Sequence, residues 1–483
     1  MSEIGIQTCT ATPPKYLIWS GAAQVSAAQM IRRSSRLLFF FIAARKLGPE
    51  TFGLYAFLLA VFETLALVSG EGFTEYLMRE LSKTPASAGV LYSRVCLLRC
   101  LYIMILFAPA IVFLQLLGHP KPILEAAFWL FLTLFPRALL GVGQGVIGAA
   151  RHFRSLLWLE VVQATGLLAV GILLLIKSPT LPNAIWAEVV STSSAALGSI
   201  LIVRRFLHGH WEVVPSWRRI LKETVFFNLY PLIINIYDRI DVVLLSVLAG
   251  NFAAGIYAVP YRALGALQIL PFGIKTSVLP SISGNAVGKQ GDKQLCSRML
   301  SVMYLLALFP VLALTLLAGP LILLLFGKNY SPSVPVLRVL VWAVIPMFLN
   351  YGINTFLLAR SRERVFVWTG LICTLVNVGA NVVLIPRYSY YAAAAVTILT
   401  ESVLLGLNLF IIRKTFGFFA LPERFWQTSI IFLFLIAGGL AGNSYAPSVL
   451  STIVTFLVFA TYLYLNGYLH SIRDWTRHGA FTG

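Results

Sequence analysis

Apolar stretches of about 20 residues recur from Tyr16 to His470, separated by short polar breaks. A stretch of that length crosses the hydrocarbon core of a bilayer as a helix. The pattern predicts fourteen spans, over 17–43, 52–70, 91–117, 123–147, 156–176, 183–205, 224–249, 252–283, 298–318, 335–359, 365–386, 391–412, 425–442 and 447–468. Lys177-Ser178-Pro179-Thr180-Leu181-Pro182 is typical of the breaks. Arginines interrupt the first span. The eighth carries Pro260, Pro271 and Pro280 and is expected to bend or break. The longest inner connection, 206–223, is basic and mildly amphipathic and reads as an interfacial helix joining two halves.

Composition agrees with a chain that faces lipid. Of 483 residues, 58% are hydrophobic and 11% charged, against about 25% charged in a soluble domain. A net charge of +19 would suggest nucleic acid in a soluble protein, but here the cations cluster in short loops. With both termini inside, inner segments carry 21 basic residues, among them Arg79, Arg218, Arg219, Lys222, Arg360 and Lys414, and outer loops carry six. The bias predicts cytoplasmic termini and no nucleic-acid partner. The first 15 residues are polar and the next apolar run leads into Arg32, Arg33 and Arg36, so no cleavable signal peptide is expected. Cys9, Cys96, Cys100, Cys296 and Cys373 have no metal-ligand spacing. No nucleotide-binding GxxxxGK[ST] motif occurs. Neither a metal nor a cofactor is expected.

A repeat divides the chain. Gly48, Gly53, Tyr55 and Ala56 recur as Gly250, Gly255, Tyr257 and Ala258 at an offset of 202. A weaker echo relates Ala150-Arg151 to Ala359-Arg360, at an offset of 209. A repeat six helices long keeps its orientation, so its halves are related by an axis along the membrane normal, as in transporters with a midplane site. The expected architecture is an all-α polytopic membrane protein with two pseudo-symmetric six-helix lobes, 1–210 and 211–415, followed by helices 13–14 and a cytoplasmic tail, 416–483.

The charges inside the spans are the candidate chemistry. Arg32, Arg33, Arg36, Arg94, Arg99, Arg137, Arg239, Arg262, Lys275 and Arg338 stand against Glu63, Glu125, Glu160, Glu188, Asp238, Asp241 and Glu401. A basic residue at mid-span costs about 2.5–3.5 kcal/mol on insertion scales, so it faces water, a partner or a bound anion. Arg94, Lys275 and Arg338 lie near helix ends and can snorkel. Arg32 and Arg36, four apart, share a helix face. These helix-1 cations are expected to meet an anion rather than protein carboxylates. Arg239 is expected to pair with Asp238, Asp241 or Glu63. Guanidinium forks bind phosphate oxygens in pairs and keep their proton. The candidate anion-binding residues are Arg32, Arg33, Arg36, Arg99, Arg137, Arg239 and Arg262. The candidate coupling-ion or ion-pair residues are Glu63, Asp238, Asp241 and Glu401.

Several ordered segments resemble the polysaccharide exporter and oligosaccharide flippase family. Ala44-Arg45-Lys46-Leu47-Gly48-Pro49-Glu50-Thr51-Phe52-Gly53-Leu54-Tyr55 is similar to its A-R-x-L-G-P-E-x-F-G-x-Y signature. Tyr237-Asp238-Arg239-Ile240-Asp241, the Leu325-Phe326-Gly327-Lys328-Asn329-Tyr330 turn and Leu384-Ile385-Pro386 also resemble family segments. The likeness is collinear from about 16 to 413 and thins over the last two helices. Glu71-Gly72 departs from the usual D-x-G. The resemblance implies the multidrug/oligosaccharidyl-lipid/polysaccharide exporter superfamily, with a V-shaped cavity between lobes. It implies flipping of undecaprenyl-pyrophosphate-linked oligosaccharide across the bacterial inner membrane by a monomer, without enzymatic activity. Membrane lipids and other polysaccharide-assembly proteins are the expected partners. The two extra helices resemble the lipid II flippase branch, where such helices line a groove for the lipid tail.

Two other readings stay open. A cation-coupled multidrug antiporter of the same superfamily predicts a cavity dominated by carboxylates. A membrane-embedded glycan polymerase or ligase needs catalytic groups in a sizeable outer loop, whereas the one outer histidine, His119, lies in a short connection.

Overall fold

The computed structural model describes residues 15–84, 87–207, 216–283, 288–442 and 448–466. Among them the chain is helical and has no strand. Cys9, the middle of the expected interfacial helix and the tail 467–483 lie outside the described residues.

The first half holds eight α-helices: α1 (Lys15–Val68), α2 (Phe73–Leu81), α3 (Ala88–Leu116), α4 (Lys121–Leu132), α5 (Leu134–Ala149), α6 (Phe153–Thr165), α7 (Gly171–Lys177) and α8 (Leu181–Val203). α1 is two helices joined at Gly48, whose φ of 76° and ψ of 167° belong to a region open essentially to glycine alone. Pro49 then opens the second helix, where a missing N–H does no harm. α4 and α5 part at Thr133 because Pro136 has no N–H for the Leu132 carbonyl. A π-turn, Gly166–Val170, joins α6 to α7. The hydropathy pattern gave no sign of α2; its short apolar face, Phe73, Tyr76 and Leu77, is buried.

The rest is α9 (Trp217–Ala249), α10 (Asn251–Leu267), α11 (Ile269–Ser283), α12 (Lys289–Phe326), α13 (Ser333–Leu340), α14 (Val344–Ala359), α15 (Arg364–Phe416), α16 (Phe425–Gly442) and α17 (Ser448–Leu465). The expected break in the eighth span falls at Gln268, where Pro271 deprives the Leu267 carbonyl of a donor. α15 is broken at Ser389 (φ 50°, ψ −133°).

Nine helical stretches among the described residues are long and apolar enough to cross a membrane. Two of them, Ala23–Leu81 and Arg364–Phe416, run to 59 and 53 residues, far beyond the roughly 20 that one crossing needs. Each contains one of the breaks, at Gly48 or Ser389. Exposed Leu101, Met104, Ile105 and Leu116 on α3, and Leu433, Phe434, Leu457 and Val458 on α16 and α17, suit hydrocarbon rather than water. The protein is a multi-pass membrane protein.

The repeat appears in the backbone. Gly48 and Gly250 share one conformation, with φ of 76° and 88° and ψ of 167° and 166°. Gly327 adopts it too, at 90° and 176°. The weaker echo is one residue out of register. Arg151 and Ser361 take positive φ, and the N–H groups of His152 and Arg362 reach back five residues to Ile147 and Leu357. The structural offset is therefore 210, not 209.

The chain forms two compact units, one of Met1–Ala43 with Val61–Leu232, the other of Ala44–Ala60 with Ile233–Gly483. In the first, α5 packs on α8, α2 and α3, and α4, α6 and α7 pack on α8. Glycines let these backbones approach, as small residues do in membranes. A Cβ on Gly143 would lie 1.9 Å from Ser199 Oγ. In the second, α12 packs on α14, α14 on α15 and α11, and α10 on α13. α16 and α17 pack on each other and on α12.

Candidate functional site

The first unit gathers three of the predicted arginines around three carboxylates. Arg36, on α1, donates to Glu63 Oε1 at 2.8 Å. Arg137, one residue past Pro136, donates from Nε to Glu71 Oε1 at 2.6 Å, and its NH2 lies 3.9 Å from Glu63 Oε2. Its guanidinium also sits over the Phe62 ring, 5.3 Å from the centroid. Arg32, one turn before Arg36, faces Glu160 of α6 at 3.5 Å, longer than a good charge-assisted hydrogen bond. Gln144 also donates to Glu160 Oε1, at 3.3 Å, while Glu160 Oε2 is buried without a hydrogen-bond partner.

Arg32 and Arg36 open onto a small recess, lined also by Ser35, Glu160, Gln163, Ala164, Leu167, Glu188 and Ser191. Leu167 belongs to the π-turn, a local widening that often accompanies functional sites. The arginines are the more exposed partners. The side chains of Arg32 and Arg36 are 44% and 35% exposed, those of Glu160 and Glu63 7% and 14%.

The sequence expectation thus changes in one respect. Arg32 and Arg36 do find protein carboxylates, because α1 passes beside α6 and continues to Glu63. Glu63 pairs with Arg36 and Arg137. Arg33 lies exposed on another face of α1. Arg99 is 1% exposed, with one long hydrogen bond to the Ala138 carbonyl at 3.4 Å and no partner for Nε. It is packed inside the unit. Glu71 and Glu160 were missed as site residues. Glu160 was visible as a carboxylate inside a span, but only the tertiary fold brings it to Arg32.

The second unit holds buried carboxylates met by neutral donors. Asp241 accepts from Tyr257 Oη at 2.8 Å, Asn381 Nδ2 at 2.8 Å and Thr397 Oγ1 at 3.2 Å. Asn381 Nδ2 also donates to Asn377 Oδ1 at 3.0 Å, and Asn381 Oδ1 is buried without a partner. Glu401 accepts from Tyr237 Oη at 2.9 Å and Asn350 Nδ2 at 3.1 Å. Asp238, Arg239 and Arg262 are half-buried. Tyr257 is the repeat tyrosine, so the motif that marks the repeat also supplies a donor to Asp241. Among the described residues no group of three or more His, Cys, Asp or Glu suits a metal ion.

Outside the spans, Arg79 and Arg219 converge on Glu223, Arg219 at 2.8 Å. The hydrogen bond from Arg219 holds the Glu223 carboxyl below its ordinary range. Partial burial pushes the His119 imidazole down.

Known structures share this fold. An inward-facing multidrug-resistance MATE transporter of the MOP superfamily matches with a TM-score of 0.67 and 15% identity, over 82% of this chain and 98% of that one. The lipid II flippase MurJ in an inward closed conformation matches with a TM-score of 0.67 and 15% identity, over 91% of this chain and 98% of its own. A MOP-superfamily transporter from Pyrococcus furiosus matches with a TM-score of 0.58 and 17% identity, over 86% and 99%. These likenesses show the fold that the three solved structures share. No curated protein is matched by the sequence. A family model described as polysaccharide biosynthesis protein matches residues 18–286, more than half of the chain. The chain belongs to the polysaccharide biosynthesis protein family.

Proposed function

We propose that this protein flips undecaprenyl-pyrophosphate-linked oligosaccharide from the cytoplasmic to the periplasmic leaflet of the bacterial inner membrane. The observation that supports this most is the recess fronted by Arg32 and Arg36. Two guanidinium groups one helical turn apart, about 6 Å along the axis, suit the two phosphates of a pyrophosphate. Such a group in hydrocarbon would be costly, so the recess supplies what the headgroup loses when it leaves water. Arg33, Arg137, Arg239 and Arg262 are further candidates for contact with the headgroup or its sugars.

The proposal is alternating access by a monomer, with the prenyl tail in lipid and helices over 425–468 lining its path. Both termini are cytoplasmic, and the repeat divides the chain at 1–210, 211–415 and 416–483. Other polysaccharide-assembly proteins are its partners. Coupling is assigned to Asp241, a buried carboxylate held by Tyr257, Asn381 and Thr397, which can carry a proton or a small cation. The same buried carboxylate also favours a second reading, a cation-coupled multidrug antiporter.

A flipping assay in vesicles with a fluorescent undecaprenyl-pyrophosphate oligosaccharide separates the two. Flipping of the lipid-linked glycan, lost in folded Arg32→Ala and Arg36→Ala variants, supports the flippase. Transport of cationic small molecules alone supports the antiporter.

A further inference from the structure

We infer that Glu160 and Glu63 are displaceable counter-ions: they occupy Arg32 and Arg36 in the empty site, yield them to the entering phosphates, and reclaim them to expel the headgroup. The inference rests on the headgroup reading above and adds a step to it, because an arginine pair without competitors would hold a pyrophosphate too well to release it.

Three features carry it. First, the arginines already face carboxylates. Arg32, Arg36 and Arg137 meet Glu160, Glu63 and Glu71, so an anionic ligand competes with them. Second, the acids are the less exposed partners, at 7% and 14% exposure against 44% and 35%. Incoming phosphate can engage the exposed N–H groups of each fork while the carboxylate lets go. Third, the hold on Arg32 is loose. Its contact with Glu160 is 3.5 Å, and the second oxygen of Glu160 is buried and unpartnered. A carboxylate locked into a structural ion pair would use both oxygens, as burial without partners is unfavourable. Arg36, held at 2.8 Å, is the tighter of the two, so exchange begins at Arg32.

The test uses the full-length protein in lipid nanodiscs and inorganic pyrophosphate as the probe, with affinity measured by calorimetry. Glu160→Gln and Glu63→Gln remove the competing charge and keep the shape. Each is expected to tighten pyrophosphate binding roughly threefold to fivefold, the worth of a partly exposed ion pair. The gain from Glu160→Gln should vanish in an Arg32→Gln background, and that from Glu63→Gln in an Arg36→Gln background. Glu160→Asp, which keeps the charge, should stay near wild type. In flipping, Glu160→Gln should lower KM and lower kcat together, because release slows. If wild type binds pyrophosphate while both glutamine variants bind it equally or more weakly, the acids are structural and this inference fails while the headgroup reading stands. If wild type binds no pyrophosphate, both fail.

Discussion

Gly53 and Gly255 are reciprocal: a Cβ on Gly53 would lie 1.8 Å from the Asn251 carbonyl oxygen, and one on Gly255 would lie 1.9 Å from the Pro49 carbonyl oxygen. Pro49 and Asn251 precede their glycines by four residues, so the two copies of the repeat touch through equivalent atoms. Both segments lie in the second unit. The approach is backbone against backbone, which leaves no flexible side chain to give way. Tyr330, of the Gly327 turn, donates to the Ala44 carbonyl at 2.9 Å and seats its ring against Phe52. The motif residues of three separated segments therefore build one junction.

Gly53→Ala and Gly255→Ala should each destabilise the protein by about 1–3 kcal/mol, the usual result of overpacking. Gly265→Ala, where nothing lies within 4 Å of the added atom, should leave it unchanged. Thermal unfolding of the purified variants in one detergent checks both. Equal melting temperatures for Gly53→Ala and Gly265→Ala would remove the close crossing.

Arg360 and Asp292 form the second unit's short ion pair, at 2.5 Å with side chains 13% and 12% exposed. Arg360 also donates to the Ile282 carbonyl at 2.9 Å. Arg360→Ala strands a buried carboxylate and should lower stability by roughly 3 kcal/mol. Asp292→Asn in that background should recover part of the loss. A double-mutant cycle on melting temperature measures the coupling, and additive losses would contradict the pairing.

At Glu223 the carboxyl is held below its ordinary range by Arg219. A depressed pKa means that the stabilisation is present above the unfolded-state value, near pH 4.3, and is lost as pH falls through the folded-state value. Wild type should therefore exceed Glu223→Gln in melting temperature at neutral pH, with the gap closing below about pH 4. The pair is exposed, so high salt should also narrow the gap. A gap constant across pH would exclude the ionised carboxylate as its source.

Asp241 offers a prediction on coupling. Asp241→Asn keeps the volume but removes the charge that Tyr257, Asn381 and Thr397 surround. If Asp241 carries the coupling ion, this variant should fold and bind substrate while flipping no longer responds to an imposed Na⁺ or proton gradient. A gradient response equal to wild type would move coupling elsewhere.

Much of this was legible in the sequence because lipid imposes a simple rule. Runs of about 20 apolar residues marked the crossing helices, and the prolines of the eighth span foretold a break that falls at Gln268. The matched glycines at 48 and 250 were visible as letters, and their shared backbone conformation follows from what only glycine tolerates. Their contact was not legible, since no local pattern encodes which copy touches which. α2 was hidden because FTEYLMREL mixes charge and apolar residues over barely two turns. Arg32 and Arg36 stood out by the cost of charge in a span. Their partners did not, because Glu160 lies 128 residues from Arg32 and only the packing of the first unit joins them.

The central claim is that the recess serves an anionic lipid headgroup. Its most direct test is the vesicle flipping assay with fluorescent undecaprenyl-pyrophosphate oligosaccharide, comparing wild type with Arg32→Ala and Arg36→Ala at matched, folded protein. The account predicts that wild type moves the lipid and that each variant loses most of that activity. Wild-type rates in both arginine variants, or transport of cationic small molecules with no movement of the lipid, would contradict it.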